Sequence, residues 1–429
     1  MRWPWWFVLG ACTSQNGTIR LGLTEAPGST LLAGVQSLHI TVTSPAMELD
    51  VPRDATGFDL SFDLAATGAN GALIIDGFDA SGALVATGAS PPFPIAAIDA
   101  TVVIYMAPPR SLLAAPATLA TPTSALATGA LGYGAIFAGG LDATGAPTTG
   151  ISIYNAFDHS IAAGLAMPAA RAGQVLGVSQ AGIVYLFGGL DATPSPTGTL
   201  WRFDTTVAPS GAYFDLGDHA DLARADQTMV LTGADELVVS GSPVFQVAAL
   251  GTAVVNRCSP TSLPAAGAGL TTQDGVTTAI FADAAQLVRF RADVVDDLPA
   301  TVPPDPIAVA LPPDDVIVAG SSAELLRVDA ITGTITSALA IATPRKDAAV
   351  GATSRYLIVA GGTDAAGALV GTAEVFGPTL APVVTLPLVV PRTKASAIPL
   401  PTGQILIVGG VDAAGKPIAT IELFTPESH

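Results

Sequence analysis

The chain has 429 residues, 45 of them glycine and 34 proline, and a formal net charge of −18 with an isoelectric point near 4.3. This net negative charge argues against electrostatic binding to nucleic-acid phosphates or to anionic lipid. The mean hydropathy is positive, at +0.54, yet Gly, Pro, Asp and Thr interrupt every apolar run before it reaches the roughly 20 residues of a membrane-spanning helix.

The first twelve residues have the pattern of a secretory signal. Met1-Arg2 is followed by the apolar stretch Trp3–Ala11 and then by Cys12. The string Leu9-Gly10-Ala11-Cys12 resembles the lipobox of bacterial lipoproteins, in which the cysteine becomes the lipidated first residue. The alternative is an ordinary buried segment with a chance cysteine. We expect a signal peptide over 1–12 and a short polar tether over 13–17.

The resemblance has two consequences for the mature protein. It implies lipidation of Cys12 and anchoring at the bacterial cell envelope, and Thr13 after the cysteine favours the outer membrane or cell surface over the inner membrane. It also leaves Cys258 without a disulfide partner. Cys258 has no histidine near it in sequence, so a partly buried bystander is favoured over a nucleophile.

Residues 18–107 alternate between apolar and polar positions in short runs that Gly, Pro, Asn and Asp clusters separate, which predicts β-strands. Asp79-Ala80-Ser81-Gly82 between two runs is a hairpin signal. The region resembles the Ig-like or transthyretin-like domains that precede propellers in secreted bacterial proteins, so we expect a small β-sandwich. The predicted strands are Thr18–Leu23, Val35–Thr43, Phe58–Leu64, Ala72–Asp79, Ala83–Gly88 and Thr101–Met106.

From residue 111 onward, a β-branched run that ends in Gly-Gly recurs at intervals of tens of residues. Weaker versions fall around Gly241, Ala282 and Gly320, and the intervals between successive versions run from 38 to 53 residues. A Pro or Arg stands about 17 residues before each version. Seven repeats of this period predict a propeller of four-stranded blades. The four strong versions are Ile136–Gly145, Leu186–Pro194, Val359–Gly367 and Val408–Gly415.

This pattern resembles the kelch repeat, whose second strand ends in Gly-Gly and leads through a hairpin into a third strand. The resemblance covers about residues 111–426, although the usual kelch tryptophan is missing and the middle repeats have decayed. It predicts a seven-bladed kelch-type β-propeller, with six blades as the alternative count. The chain ends just after a third strand, so we expect the strand near 111–115 to complete the last blade and close the ring.

The recurring glycines and aspartates are interpreted as structural. Glycine lets a strand bend and approach its neighbour, and Asp followed by Gly is turn chemistry. The alternative is a ring of carboxylates for Ca²⁺, but residues in different blades lie too far apart to share one ion. The residues concerned are Gly139, Gly140, Asp142, Gly188, Gly189, Asp191, Gly361, Gly362, Asp364, Gly409, Gly410 and Asp412.

Four arginines of the Pro/Arg marker form the candidate binding rim: Arg171, Arg224, Arg345 and Arg392. They should lie on the Gly-Gly face, near the mouth of the central channel. One possibility is an electropositive rim that binds an anion. The favoured possibility is that each guanidinium bonds carbonyls or an Asp of an adjacent blade and stitches the ring together.

No catalytic constellation or metal site is predicted, and no cofactor is expected. His219, among the three carboxylates of Phe214–Asp221, is a weak metal candidate for which a solvated loop is favoured. The copper site of galactose oxidase, a kelch enzyme, needs residues that this chain does not place together. The sequence therefore predicts a monomeric, lipid-anchored binding platform for an unknown protein or small molecule, and not an enzyme. The alternative is an envelope oxidase or hydrolase with its site at the channel mouth.

Overall fold

The protein is described here by a computed structural model. It describes residues 16–65, 68–94, 100–179, 181–207, 210–220, 223–232, 236–240, 245–247, 254–256, 263–292, 294–338 and 340–428. Cys12, Cys258 and Gly241 lie outside these ranges, so the predictions made for them stay predictions. Within them, no helix is long and apolar enough to cross a membrane. The prediction of an all-β fold is confirmed, since the described residues form 37 strands and one four-residue helix.

The N-terminal region contains that helix and nine strands. They are β1 (Asn16–Thr24), α1 (Leu31–Gly34), β2 (Ser37–Thr43), β3 (Ala46–Pro52), β4 (Ser61–Ala65), β5 (Asn70–Gly71), β6 (Leu73–Phe78), β7 (Leu84–Ala89), β8 (Phe93–Pro94) and β9 (Ala100–Tyr105). β1 begins within the predicted tether, because Asn16 and Gly17 already pair with β4.

Two sheets of this region face each other across one hydrophobic core. One has the strand order β4-β1-β9 and the other β3-β2-β6-β7. Strand β2 shows how the sequence sets the packing: Leu38, Ile40 and Val42 alternate with more exposed residues and are fully buried. They pack with Ile19 of β1 and Ile104 of β9 from the opposite sheet. A likeness to Ig-like or transthyretin-like domains stays a prediction.

The remaining strands build a series of antiparallel sheets. They are β10 (Ser111–Thr118), β11 (Ala127–Leu131), β12 (Gly134–Ala138), β13 (Ile151–Asn155), β14 (Ser160–Ala163), β15 (Val175–Val178), β16 (Ile183–Phe187), β17 (Thr199–Asp204), β18 (Ala212–Asp218), β19 (Met229–Thr232), β20 (Glu236–Val239), β21 (Phe245–Val247), β22 (Val254–Asn256), β23 (Ala266–Thr271), β24 (Thr277–Ala282), β25 (Leu287–Arg291), β26 (Val294–Leu298), β27 (Ile307–Leu311), β28 (Asp315–Ala319), β29 (Leu325–Asp329), β30 (Ile335–Ala338), β31 (Ala349–Ala352), β32 (Leu357–Ala360), β33 (Thr372–Phe376), β34 (Pro382–Pro387), β35 (Thr393–Pro399), β36 (Ile405–Val411) and β37 (Thr420–Thr425).

Six of these sheets have four strands each, and two further strand pairs, β19-β20 and β21-β22, lie between the second and third of them along the chain. The first strand of each repeat contacts the first strand of the next, and the last contacts the first again. The contacts run in the order β11, β15, β19, β23, β27, β31, β35 and back to β11. These strands therefore form a closed ring around a central channel.

The last sheet is built from both ends of the region. Its order is β10-β37-β36-β35, with Leu112 of β10 opposite Phe424 of β37. The strand that precedes the first repeat thus occupies the outer edge of the last one, where the sequence analysis expects it. The last sheet thus obtains its fourth strand from the same chain, and β37 is not left as an exposed edge strand.

Candidate functional site

The Gly-Gly pairs join each repeat to the next. A Cβ at Gly361 would lie 2.3 Å from the carbonyl oxygen of Arg392, and Gly361 has a φ of +66°. The N–H of Gly362 donates to that same oxygen at 2.8 Å. Glycine is required here for a close approach and for a left-handed backbone together. The pairs at 139–140 and 188–189 contact the carbonyls of Arg171 and Arg224 in the same way.

The aspartates after the glycines bond within their own turns. Oδ1 of Asp142 accepts hydrogen bonds from the N–H and the hydroxyl of Thr144 and from the N–H of Ala146. The Thr144 hydroxyl is the largest cause that lowers the pKa of Asp142. Asp191, Asp364 and Asp412 each accept from two N–H groups of their turns as well. This is the geometry of a turn that an Asp side chain stabilises.

Arg392 shows how two of the four rim arginines are held. Its Nη1 donates to the carbonyls of Gly409 and Thr420, and its Nη2 donates to Oε1 of Glu422 at 2.7 Å. Both side chains are at most 1% exposed. Burial lowers the pKa of Arg392, and the Glu422 carboxylate opposes that shift. Arg345 pairs with Glu374 in the equivalent arrangement.

This geometry favours a structural role over anion binding for Arg345 and Arg392. The carboxylate that each arginine contacts differs from the expected one. The partner is a Glu of the third strand in the same sheet, not an Asp of an adjacent blade. The carboxylate also accepts from backbone N–H groups, Ala342 and Thr343 in the case of Glu374. The sequence carried a signal for these residues, because Glu occupies the same place in the runs at 372–376 and 420–424.

Arg171 and Arg224 are held differently. Trp201 occupies the place of Glu374 on its own third strand, and the guanidinium carbon of Arg171 lies 5.0 Å from the Trp201 ring centroid. Nε of Arg171 is buried without a hydrogen-bond partner. Arg224 is half-buried and donates to the carbonyl of Ser240 at 2.6 Å. A binding role for the four arginines stays a prediction.

The central channel contains a cavity of about 480 Å³ at its Gly-Gly end, which we call the channel-mouth cavity. Residues at or near the start of all seven ring strands line it. Because Ala127 at the start of β11 pairs with Ala138, directly before Gly139, the cavity lies at the same end as the Gly-Gly hairpins. The described residues that line it carry no charged side chain.

Polar side chains are unevenly distributed over the wall of this cavity. Thr128, Gln174, Gln227 and Thr228 come from the first three repeats, which also contribute Leu126, Ala127, Val175, Leu176 and Met229. Small or branched apolar side chains come from the last three, namely Ile307, Ala308, Val309, Ala348, Val350, Ala395 and Ala397, with Ser396 as the exception. Sequence reasoning named the channel mouth as a candidate site but none of these lining residues. The signal for the glutamines was the shared spacing Arg171-x-x-Gln174 and Arg224-x-x-Gln227, where the last two repeats have Ala instead.

Gln174 is the most constrained polar group of the wall. It is 5% exposed, and its Nε2 donates to the carbonyl of Ala138 at 2.8 Å. Its Oε1 has no hydrogen-bond partner. Exchanging the positions of Nε2 and Oε1 would place Oε1 against the carbonyl oxygen of Ala138. This carbonyl therefore fixes the orientation of the Gln174 amide. The missing side chains of Gly139 and Gly189 make room for it, since a Cβ at either would lie within 3 Å of Gln174 atoms.

A collar of left-handed residues surrounds the cavity entrance. Its members precede or begin the ring strands and have φ values from +50° to +61°. The N–H of Asp226 donates to the carbonyl of Gly173 at 3.0 Å, and that of Lys394 to the carbonyl of Asp347 at 2.9 Å, so neighbouring repeats are joined here too. The members are Ala125, Gly173, Asp226, Asp305, Asp347 and Lys394. Only Gly173 among them is glycine, and for the other five the left-handed backbone carries a cost in conformational free energy.

The other sequence candidates lie elsewhere. Within the described ranges, no group of three or more His, Cys, Asp or Glu residues could hold a metal ion. The stretch around His219 was predicted as a solvated loop, but residues 212–218 form the outer strand β18 of their sheet.

Comparison with known proteins supports the fold. No family model matches the chain, and no curated protein matches it significantly. Among solved structures, a fungal alcohol oxidase of the AA5 family in complex with copper is similar, with a TM-score of 0.56 and 12% identity over 73% of this chain and 75% of that one. The structure of YjhT is 13% identical over 72% of this chain and 96% of that one, with a TM-score of 0.49. The protein has a β-propeller fold.

One prediction is contradicted by this comparison. The sequence analysis predicts that the chain is not an enzyme, on the ground that no catalytic constellation is visible. The similar alcohol oxidase is a β-propeller enzyme, so the same fold supports catalysis. The absence of a recognisable motif was too weak a ground, because a fold of this kind assembles its sites from residues of separate repeats.

Proposed function

We propose that this protein is an envelope-anchored β-propeller whose channel-mouth cavity binds a small molecule. The observation that carries the proposal is the cavity itself: about 480 Å³, open to the Gly-Gly face, and lined by all seven ring strands. This volume lies within the range of small-molecule sites in proteins. A site built on strands of a closed ring is also rigid, which reduces the entropy lost on binding.

A fragment screen by ligand-observed NMR tests the cavity. The protein without its first twelve residues is compared with the same protein carrying Ala397→Trp, which adds an indole to a residue of the cavity lining. A Trp at the exposed turn residue Ala143 is the matched control. We expect compounds whose saturation-transfer signal disappears in Ala397→Trp and persists in Ala143→Trp. If no compound distinguishes the two variants, although both fold, the cavity is not a binding site.

The envelope anchor is supported by the N-terminal sequence alone. If Cys12 carries the lipid, Cys12→Ala releases the protein from the membrane fraction. Unchanged fractionation would reject the anchor.

We also infer that the ring has seven kelch-type blades. Support comes from the seven strands in mutual contact around the channel and from the Gly-Gly contacts that recur between repeats. In this interpretation β19, β20, β21 and β22 together form the third blade, and β20 contacts β21.

An enzyme with its site at the same channel mouth is the second candidate function, and the similar alcohol oxidase is its support. Copper itself does not fit the described residues, which offer no cluster of three ligands. His159 is buried, and both its ring nitrogens are engaged in hydrogen bonds with protein groups.

A further inference from the structure

We infer that the N-terminal region holds the propeller with its channel mouth turned away from the bilayer, so that the cavity takes its ligand from the aqueous side and not from membrane lipid. This inference rests on the proposed function, because it takes Cys12 as the residue that carries the lipid. It adds the direction from which the site is reached.

The first repeat contacts the N-terminal region at the end opposite its Gly-Gly pair. Strand β13 begins at Ile151, beside that pair, and ends at Asn155. The turn that follows therefore lies at the far end of the sheet. There the carbonyl of Phe157 accepts from the N–H of Val103 in β9 at 2.8 Å, and the Phe157 side chain packs against the core of the N-terminal region.

The last repeat makes its contact at the same end. Phe424 of β37 pairs with Ile405 at the start of β36, the end farthest from the Gly-Gly pair of that strand. Beyond this point the hydroxyl of Ser428 donates to Oδ2 of Asp76 in β6. Contacts from two repeats therefore fix the N-terminal region to the propeller face that lies opposite the channel mouth.

The turns of the Gly-Gly face are exposed. In each of the four strong repeats the residue after the conserved position of the turn aspartate is exposed to solvent, so this face is open to dissolved molecules. A ligand in water reaches the cavity from this face without passing the N-terminal region. The exposed turn residues are Ala143, Ala192, Ala365 and Ala413.

The path of β1 places the anchor on the other side. Its last residue, Thr24, pairs with Tyr105 at the contact with the propeller, whereas its first residue, Asn16, pairs with Ala65 at the opposite end of the strand. The nine residues of β1 span about 26 Å. Three residues separate Cys12 from Asn16, and they add at most about 14 Å. The lipid is therefore attached on the side of the molecule opposite the channel mouth, at the end of β1 away from the propeller contact.

Energy transfer from two positions of one sheet to the bilayer surface tests the inference. Ser354 and Ala365 are both exposed, with Ser354 before β32 and Ala365 after the Gly-Gly pair that follows this strand. They are separated by roughly 20 Å along β32. Each is changed to Cys in full-length protein that carries Cys258→Ser, and both proteins receive the same donor dye. The lipidated proteins are then inserted into phosphatidylcholine vesicles that contain a headgroup-labelled acceptor lipid.

We expect the transfer efficiency from Ser354→Cys to exceed that from Ala365→Cys about threefold at the distances that the chain lengths give. The reason is that transfer falls steeply with distance from the plane of acceptors. The same labelled proteins without their first twelve residues are the control and should show no transfer. Equal efficiencies, or a higher efficiency from Ala365→Cys, overturn the inference, since the channel mouth would then face sideways or toward the bilayer.

Flotation of the vesicles separates this inference from the proposed function. If the full-length protein does not float with the vesicles, the anchor fails and the inference fails with it, while the fragment screen still decides whether the cavity binds small molecules. If the protein floats and the two efficiencies are equal, the anchor stands and only the orientation is wrong.

Discussion

His159 is a buried histidine at the junction of the N-terminal region and the propeller. Its Nε2 accepts from the backbone N–H of Tyr105 at 3.1 Å, and its Nδ1 lies 2.6 Å from the hydroxyl oxygen of Tyr154. A backbone N–H can only donate, so the neutral ring must carry its proton on Nδ1. A second proton on Nε2 would face the Tyr105 N–H. Burial also disfavours the charged ring, and the pKa of His159 is lowered to about 4 although Asp158 opposes the shift.

This shift predicts a loss of stability in mild acid. An unfolded histidine has a pKa near 6.5. Between that pH and about 4, the His159 ring is therefore protonated in the unfolded state and neutral in the folded state. The free energy of unfolding should be unaffected by His159 above about pH 6.5. It should fall by up to about 1.4 kcal/mol per pH unit as the pH drops towards 4. Urea unfolding at half-unit steps of pH measures this slope.

His159→Asn should remove that part of the acid slope, and Asn tolerates the φ of +55° at this position. His39→Asn is the control. The hydrogen bond that the His39 ring donates to the Asp50 carboxylate raises the pKa of His39, so its contribution to stability is fully present below pH 6.5 and is lost at higher pH. The variant should leave the slope between pH 4 and 6.5 as it is. An unchanged slope in His159→Asn would mean that other groups govern the acid response.

At the scale of the element, the first glycine of a Gly-Gly pair meets two requirements, a left-handed backbone and a close approach to a neighbouring carbonyl. A glycine in the turn that follows meets only the first. Gly361 has a φ of +66° and abuts the Arg392 carbonyl, whereas Gly367, in the turn that follows, has a φ of +82° and no atom within 4 Å of a would-be Cβ. The two positions therefore distinguish backbone strain from steric conflict.

We expect Gly367→Ala to lower the free energy of unfolding by about 1 kcal/mol, the cost of a left-handed alanine. Gly361→Ala should cost about 3 kcal/mol, because its Cβ also displaces the carbonyl that accepts from Gly362. Urea denaturation of both variants gives the comparison. Equal losses would show that the close approach relaxes without cost, and that Gly361 serves the backbone conformation alone.

The repeat was predictable from sequence because its signals are local. A β-branched run, two glycines and an Asp turn lie within about ten residues, and β12, β16 and β32 end directly before their glycines as predicted. β36 is the exception, because it continues through Gly409 and Gly410 to Val411. Strand β3 was missed, since Ala46–Pro52 carries charged residues on its exposed face and only Val51 is buried. Its formation depends on pairing with β2 and not on its own pattern.

The candidate site was largely not predictable, for a geometric reason. Gln174 and Ala397 line one cavity but stand more than two hundred positions apart in sequence. Nothing local indicates which residues of a ring strand point into a channel, or that Gln227 meets a hydroxyl where Gln174 does not. The buried Arg–Glu pairs are an intermediate case, because the last two repeats carry both residues at nearly the same spacing, 29 positions for Arg345 and Glu374 and 30 for Arg392 and Glu422.

At the scale of the whole molecule, one strand connects three structural units. β10 follows directly from the N-terminal region, pairs with β37 of the last sheet and leads into the first ring strand. The hydroxyl of Tyr105 donates to the carbonyl of Ala114 at 3.0 Å, which ties the N-terminal region to the same strand. The last sheet in turn contacts its neighbours through β35, which touches both β31 and β11.

This connectivity predicts that damage to β10 weakens the entire ring. Leu112 is 4% exposed and packs with Phe424 of β37 and Ile358 of β32, so Leu112→Ala should cost about 3 kcal/mol of unfolding free energy. The exposed Leu165 provides the control, since Leu165→Ala should cost less than about 0.5 kcal/mol. Because the ring strands contact one another without a break, the loss should appear as a shift of one cooperative transition in circular dichroism and in amide exchange alike. A separate early transition, with exchange accelerated only in β35, β36 and β37, would show instead that the last sheet opens independently and that closure stabilises that sheet alone.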